Sequence, residues 1–278
     1  DPTSVRYQWF PLEITGEVFT MITGDLLDGA IVADELFVGG SITNVGGAAV
    51  NNVFAVQFTG NGFAVNNLGG GVTGGATPSV KALSLWDPPD APDPDMAGPA
   101  PDPADQPLGL YVGGAFTNAP GAAGVNNIAR FGRIDTMVGT PNTWQGLGTV
   151  GYNGGALGFT GITEITAIQP YDPPVQGGGV DPGVRLFVSA RNGANGLLRT
   201  WNPAGAAATP PEAVWSANIN YGATTPIFTM TTWVPPMEVN PDNTQFLVLG
   251  GGDATSGFVN IGVGAAFAQI GTDVDGAV

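Results

Sequence analysis

One phrase recurs four times along this chain and limits what it can fold into. Its clearest copy is Leu110-Tyr111-Val112-Gly113-Gly114-Ala115-Phe116-Thr117, followed after a Gly/Ala-rich turn by Asn126-Asn127-Ile128-Ala129-Arg130-Phe131-Gly132. An earlier copy reads Leu36-Phe37-Val38-Gly39-Gly40-Ser41-Ile42-Thr43, then Asn51-Asn52-Val53-Phe54-Ala55-Val56-Gln57-Phe58. Shorter copies open at Leu186-Phe187-Val188-Ser189 and at Phe246-Leu247-Val248-Leu249-Gly250-Gly251. A repeat made of short alternating strands and glycine turns builds a stacked or radial β-architecture, because no single unit can bury its own apolar face.

A second strand recurs between these phrases: Val18-Phe19-Thr20-Met21-Ile22, Val80-Lys81-Ala82-Leu83-Ser84-Leu85-Trp86-Asp87, Ile165-Thr166-Ala167-Ile168-Gln169-Pro170-Tyr171-Asp172 and Ile227-Phe228-Thr229-Met230-Thr231-Thr232-Trp233. Large apolar residues alternate with small or polar ones, the period-2 pattern of a strand. This is strand a, and the Val-Gly-Gly type is strand b. Strand c is Asn-Asn-Ile-Ala-Arg-Phe or Leu197-Leu198-Arg199-Thr200-Trp201-Asn202. Strand d centres on Thr143-Trp144-Gln145-Gly146-Leu147-Gly148 or Val214-Trp215-Ser216-Ala217-Asn218-Ile219. One a-b-c-d set is a four-stranded antiparallel blade. The order predicts an all-β chain: a β-propeller of about four blades in one domain spanning 1–278, with blades near 18–72, 80–150, 162–220 and 227–278. The alternation places Val38, Val112, Val188 and Val248 in the core. Gly262–Ile270 reads as a last strand c, and Tyr7-Gln8-Trp9-Phe10-Pro11-Leu12 as an unmatched strand d. The pattern therefore predicts that residues 1–12 close the final blade, pairing two otherwise open edges.

The 45 glycines and 24 prolines argue against long helices. With 23 acidic and 7 basic residues the formal charge is −16, which repels phosphate backbones and speaks against nucleic acid or an acidic membrane as partner. There is no cysteine and no histidine, so disulfides, thiolate zinc sites, cysteine nucleophiles and Ser-His-Asp triads are excluded by inventory. No apolar run approaches the roughly 20 residues of a membrane span. The opening Asp1-Pro2-Thr3-Ser4 does not read as a signal peptide.

The phrase Leu-Tyr-Val-Gly-Gly-x-Phe-Thr…Asn-Asn-Ile-Ala-Arg-Phe, with its Trp…Leu-Gly and Val-x-Ala-Leu companions, resembles the repeat of large secreted bacterial propeller proteins. It also resembles the ectodomain of fungal Rax-type cortical marker proteins. Both groups look like distant relatives of kelch and galactose-oxidase-type propellers. The resemblance covers residues 30–172 well and the remainder loosely; Ser189-Ala190 replaces the glycine pair in the third copy, which also lacks Asn-Asn. It implies an extracellular, periplasmic or surface-displayed binding scaffold and brings no catalytic residues with it.

Candidate sites are few. Proline-rich insertions at Asp87–Pro107, Pro170–Pro182 and Val234–Asn243 each join a strand a to a strand b, which predicts that they emerge on one face, where propellers bind. Asp273-Val274-Asp275-Gly276 is a shortened calcium-loop opening without the distal Glu, so calcium is the one cofactor the sequence raises, and weakly. Catalysis would need a carboxylate pair, and among the six glutamates only Glu17 and Glu164 hold matching places, each directly before a strand a. Trp9, Trp86, Trp144, Trp201, Trp215 and Trp233 suit sugar stacking, but repeat-position aromatics more often fill the space between blades. The expectation is a non-enzymatic binding or assembly module without catalytic or metal residues. Its partner is a protein of a larger assembly or a surface glycan, and the alternative is a carboxylate-pair glycan-cleaving propeller.

Overall fold

A computed structural model describes residues 11–24, 26, 35–58, 62–87, 108–122, 125–133, 141–148, 151–152, 161–173, 183–202, 215–236, 244–263 and 266–273. In chain order the first strands are β1 (Ile14–Thr15), β2 (Val18–Gly24), β3 (Glu35–Gly40), β4 (Asn44–Val45), β5 (Ala48–Ala49), β6 (Val53–Phe58) and β7 (Phe63–Asn66). Next come β8 (Ser79–Trp86), β9 (Gly109–Ala115), β10 (Ile128–Gly132), β11 (Thr143–Gly148) and β12 (Gly151–Tyr152). Then follow β13 (Glu164–Tyr171), β14 (Arg185–Asn192) and β15 (Asn195–Trp201). The last group is β16 (Ile227–Trp233), β17 (Phe246–Gly252), β18 (Gly257–Val263) and β19 (Ala266–Asp273). Their pairing makes four antiparallel meanders in sequence order: β2-β3-β6-β7, β8 to β12, β13-β14-β15 and β16-β17-β18-β19. A small sheet, β1-β4-β5, flanks the first. The chain is all-β.

The four sheets share one defect, and it explains the glycine pair. Strand a of every sheet carries a register shift after its first Val or Ile, between Val18 and Thr20, Val80 and Ala82, Ile165 and Ala167, and Ile227 and Thr229. The bulged residue stands opposite the junction Gly39-Gly40, Gly113-Gly114, Ser189-Ala190 or Gly250-Gly251. A β-carbon on Gly114 would lie 2.0 Å from the Ser79 carbonyl oxygen of its own sheet, so the second glycine admits the bulge. One on Gly39 would lie 2.4 Å from Val80 Cγ1 in the next sheet, and one on Gly113 2.5 Å from Ile165 Cγ2. The first glycine therefore lets adjacent sheets close on each other.

Three cores follow from that closure. The first holds Phe37, Val53 and Ala55 of sheet one against Val80, Leu83, Leu110, Val112 and Trp144 of sheet two. The second holds Ala82, Trp86, Tyr111 and Ile128 against Ile165, Ile168, Leu186, Val188 and Trp201. The third holds Ala167, Tyr171, Phe187 and Leu198 against Tyr221, Ile227, Met230, Leu247 and Leu249. Each fully buried aliphatic or aromatic side chain contributes about 1.5–3 kcal/mol. A fourth cluster, with Val38, Ile42, Val45, Val50, Phe54 and Val56, covers the outer face of sheet one with its own loops.

Several expectations change. Strand c of the last sheet is Gly257–Val263, and the chain itself returns beside it as the fourth strand, β19. Gly262–Ile270, expected as one strand, therefore spans the end of β18 and the start of β19, and its expected pairing with Tyr7–Leu12 falls largely outside the described residues. Tyr7–Phe10 lie outside the described residues, while Leu12 and Ile14 pack on sheet one. Val248 is not the partner of Val38, Val112 and Val188. Aligning the glycine pairs puts Leu249 at that buried place and turns Val248, half-buried, to the opposite face. The third sheet has three regular strands: its expected strand d makes a single bridge, Trp215 to Trp201, and backbone bonds from Ser216 N to Thr200 O (2.9 Å) and Ile219 N to Leu198 O (2.8 Å). There the Ser216 hydroxyl accepts from Thr200 N at 2.9 Å, replacing a rung of the ladder with a side chain.

The Asn-Asn motif also finds its cause. Asn52 and Asn127 both adopt φ of 66°, a left-handed conformation that Asn tolerates better than most side chains. Asn127 Nδ2 donates to Gly114 O (3.0 Å) and to Thr163 O at the start of sheet three (3.1 Å); Asn52 Nδ2 donates to Val72 O (2.8 Å) on the way to sheet two. The motif pins the b-c connection to the next unit. Sheets three and four use short turns instead, so they lack it: Gly193 at φ 61°, and an Asp253 turn.

Candidate functional site

Strands of the same type stand side by side in successive sheets. A β-carbon on Gly39 would meet Val80 near the start of β8, and one on Gly24 would lie 1.9 Å from Leu85 near its end. Neighbouring strands a thus run in the same direction, and their connections to strand b leave from one side. Residues 88–107, 174–182 and 237–243, the bulk of the proline-rich insertions, lie outside the described residues; the strand ends that carry them are Trp86, Tyr171 and Trp233.

That side carries polar residues the repeat pattern did not single out. Glu35 is fully buried and accepts from Leu26 N (2.8 Å) and Gln57 Nε2 (3.0 Å), tying the first a-b connection to strand c. Asn142 Nδ2, beside β11 of sheet two, donates to Leu26 O (3.5 Å). Arg130 is fully buried, donating to Arg133 O (2.8 Å) and Gln145 Oε1 (2.7 Å), with Gly109 leaving room for its guanidinium. The signal was present, since charged residues stood at apolar strand positions, but periodicity alone gives such a residue no partner.

The two carboxylates stand in different sheets. Glu17 is exposed before β2 in sheet one, and Glu164 begins β13 in sheet three, with sheet two between them in the stack. Glu164 faces Arg191 of its own sheet at 3.5 Å, its register partner on β14. Asp253 closes the β17–β18 turn: Thr255 Oγ1 and N each donate to its Oδ1 at 2.7 Å, and Ser256 N at 3.0 Å. These bonds, the Thr255 hydroxyl first, hold its carboxyl below the usual range. Asp273 ends β19 and Asp275 lies outside the described residues; among the described residues no three acidic side chains group as metal ligands.

The tryptophans separate into two kinds. Trp86, Trp144, Trp201 and Trp215 are buried. Trp86, Tyr111, Trp201 and Trp215 form one aromatic cluster between sheets two and three, with successive ring centroids 5.4, 6.1 and 6.4 Å apart. Trp144 Nε1 donates to Leu68 O (2.7 Å) inside the first core. Trp233 is different: it is exposed at the end of β16, with Phe246 beside it. Trp9 lies outside the described residues. A shallow groove of about 400 Å³ lies at the edge of sheet one, lined by Ala48, Ala49, Val50, Gln57, Ala64, Val65, Asn66 and Asn67. It offers amides and small apolar groups but no ionisable one.

No family model, no curated protein and no solved structure matches this chain.

Proposed function

We propose that this chain is a propeller-type array of blades, exported or displayed on a surface, that works as a non-enzymatic binding or assembly module. The observation that carries the reading is the parallel placement of equivalent strands, which puts the strand ends that lead into the proline-rich a-b connections on one side of the stack. Such connections are free to vary while packed sheets hold their bases, the usual arrangement for recognition. The likeness of the repeat phrase to secreted bacterial and Rax-type propellers supports the same reading, as does the acidic, lysine-poor surface. A protein of a larger assembly or a surface glycan suits a face of Pro, Asp, Gly and amide groups. Calcium held by exposed carboxylates would be an accessory to that face.

The test replaces residues 88–107 and 174–182 with short Gly-Ser turns and compares binding to immobilised glycans and to envelope proteins. Loss of binding with an unchanged melting curve supports the loop face. Full binding by the replaced chain removes it from the reading. Glycoside hydrolysis that disappears in Glu164→Gln would replace the module with the enzyme alternative.

A further inference from the structure

The three internal interfaces share one plan, and its two halves recur in strand β2, exposed beside the loop-covered part of sheet one's outer face, and on the outer face of sheet four. On the receiving side of an interface stand the first position of the glycine pair, the aromatic residue of strand b and the first apolar residue of strand c: Gly39, Phe37 and Val53, then Gly113, Tyr111 and Ile128, then Ser189, Phe187 and Leu198. On the inserting side stand two residues of the next strand a: Val80 and Leu83, Ile165 and Ile168, Ile227 and Met230. All six inserting residues are buried. Their counterparts in sheet one are Val18 and Met21, and these are 40% and 62% exposed. The receiving set in sheet four is Gly250, Val248 and Val259; Val259 is 41% exposed where Val53, Ile128 and Leu198 are fully buried.

A second observation comes from Gly250. Gly39 and Gly113 are glycines because the next sheet touches them, whereas a β-carbon on Gly250 would meet only Thr229 Cγ2 of its own sheet, at 2.8 Å. Where sheet three carries Ser189 instead, the hydroxyl is used: it donates to Ile227 O of sheet four at 3.3 Å, and the Thr166 hydroxyl donates to the same carbonyl at 2.5 Å. Sheet four thus keeps a glycine at the receiving position with no inserting strand against it among the described residues. Trp233, 48% exposed at the position of the buried Trp86 and Tyr171, extends the same face.

We propose that the receiving face of sheet four docks the inserting strand β2 of a second copy of this chain. Val18 and Met21 then sit on Gly250 between Val248 and Val259, as Ile165 and Ile168 sit on Gly113. The occupant is a second copy because strand β2, left exposed beside the part of sheet one's outer face that its own loops cover, and the receiving face of sheet four supply the two halves of a contact the chain already forms three times. Within one chain β2 and β16 make no contact comparable to those between β2 and β8 or β13 and β16 among the described residues. Such a contact is heterologous, joining unlike faces head to tail. It stands on these faces alone and needs nothing bound on the loop side, so replacing residues 88–107 leaves it intact.

Sedimentation velocity tests it. The weight-average mass of the wild-type chain rises with concentration. Met21→Arg blocks the inserting face and Val259→Arg the receiving face, both at exposed positions, so each variant alone sediments as a monomer with the wild-type melting curve. Mixed together, the two variants form a dimer and nothing larger, since each supplies the one face the other retains. A wild-type chain that stays monomeric at every concentration overturns the proposal. So does a mixture of the variants that stays monomeric. An early melt of either variant also overturns it, since that would show the two faces closed on each other within one chain; Val18→Arg and Trp233→Arg repeat the comparison at independent positions.

Discussion

Gly113 and Ile165 meet across the boundary between the second and third sheets with no room for a side chain: a β-carbon on Gly113 would lie 2.5 Å from Ile165 Cγ2. Ile165 Cβ and Ile168 Cδ1 would each lie 2.9 Å away, so a methyl group there must displace the base of one buried side chain and the tip of another. Gly113→Ala should therefore destabilise by roughly 1–3 kcal/mol, the range of overpacked cores. Gly62→Ala, at a site with nothing within 4 Å, should stay within ~0.5 kcal/mol of wild type. Urea unfolding of the two variants measures the difference. Equal midpoints would show that the sheets do not close on the glycine.

The register of strand b is tested by charge. Val112 is fully buried, while Val248 lies half-buried on the opposite face of its sheet. Val112→Asp should cost about 3 kcal/mol or more, because it buries a carboxylate without a partner. Leu249→Asp should behave like it, and Val248→Asp should cost much less. A reversed order of Leu249 and Val248 in thermal melts would return Val248 to the core.

Asn127 combines a backbone requirement with two side-chain bonds, and substitutions separate them. Asn127→Gly keeps the left-handed conformation but loses the bonds to Gly114 O and Thr163 O; Asn127→Ala loses both advantages. The glycine variant should fall about 1 kcal/mol below wild type and the alanine variant about 2 kcal/mol. Calorimetry giving alanine and glycine the same loss would remove the conformational contribution.

Tyr221 makes the fold sensitive to alkali. It is 2% exposed, its hydroxyl donates to Thr225 O at 2.7 Å, and burial pushes its pKa up to about 12 from 10.0. The folded chain keeps this proton after the unfolded chain has begun to lose it. Stability contributed by Tyr221 is therefore complete below pH ~10 and drains away as the pH rises toward ~12. A Tyr221→Phe variant should show a shallower alkaline decline in its urea midpoint. An identical slope in the two proteins would place the alkaline sensitivity elsewhere.

Strand type was legible because the side-chain alternation is local: Val80 to Trp86 reads as a strand without reference to anything else. The fourfold order of sheets was legible because the glycine pair recurs, and the glycine is required by contacts that recur with it. Strand boundaries in the last unit were not. Gly257–Val263 has no Asn-Asn before it, since the Asp253 turn needs none, and the expected strand c, Gly262–Ile270, straddles the turn between β18 and β19. Val248 was misplaced by a single residue, which in a strand reverses the face. Glu35 and Arg130 escaped notice because their bonds join segments separated in sequence, such as Glu35 to Gln57 or Arg130 to Gln145. Glu17 and Glu164 hold equivalent positions in sheets one and three, and equivalence in a repeat does not by itself bring two side chains together.

Because the three inter-sheet cores are each shared by two adjacent sheets, the free energy of the molecule is close to a row of nearest-neighbour couplings. A unit with two couplings opens less often than a unit with one. Amide protons of β8, β9, β13 and β14 should exchange with solvent most slowly, and those of β16 and β17 faster, since among the described residues sheet four is gripped on one side only. Loosening would then start from that end and travel inward one interface at a time, and a mutation at the boundary of sheets two and three would split a cooperative unit rather than merely weaken it.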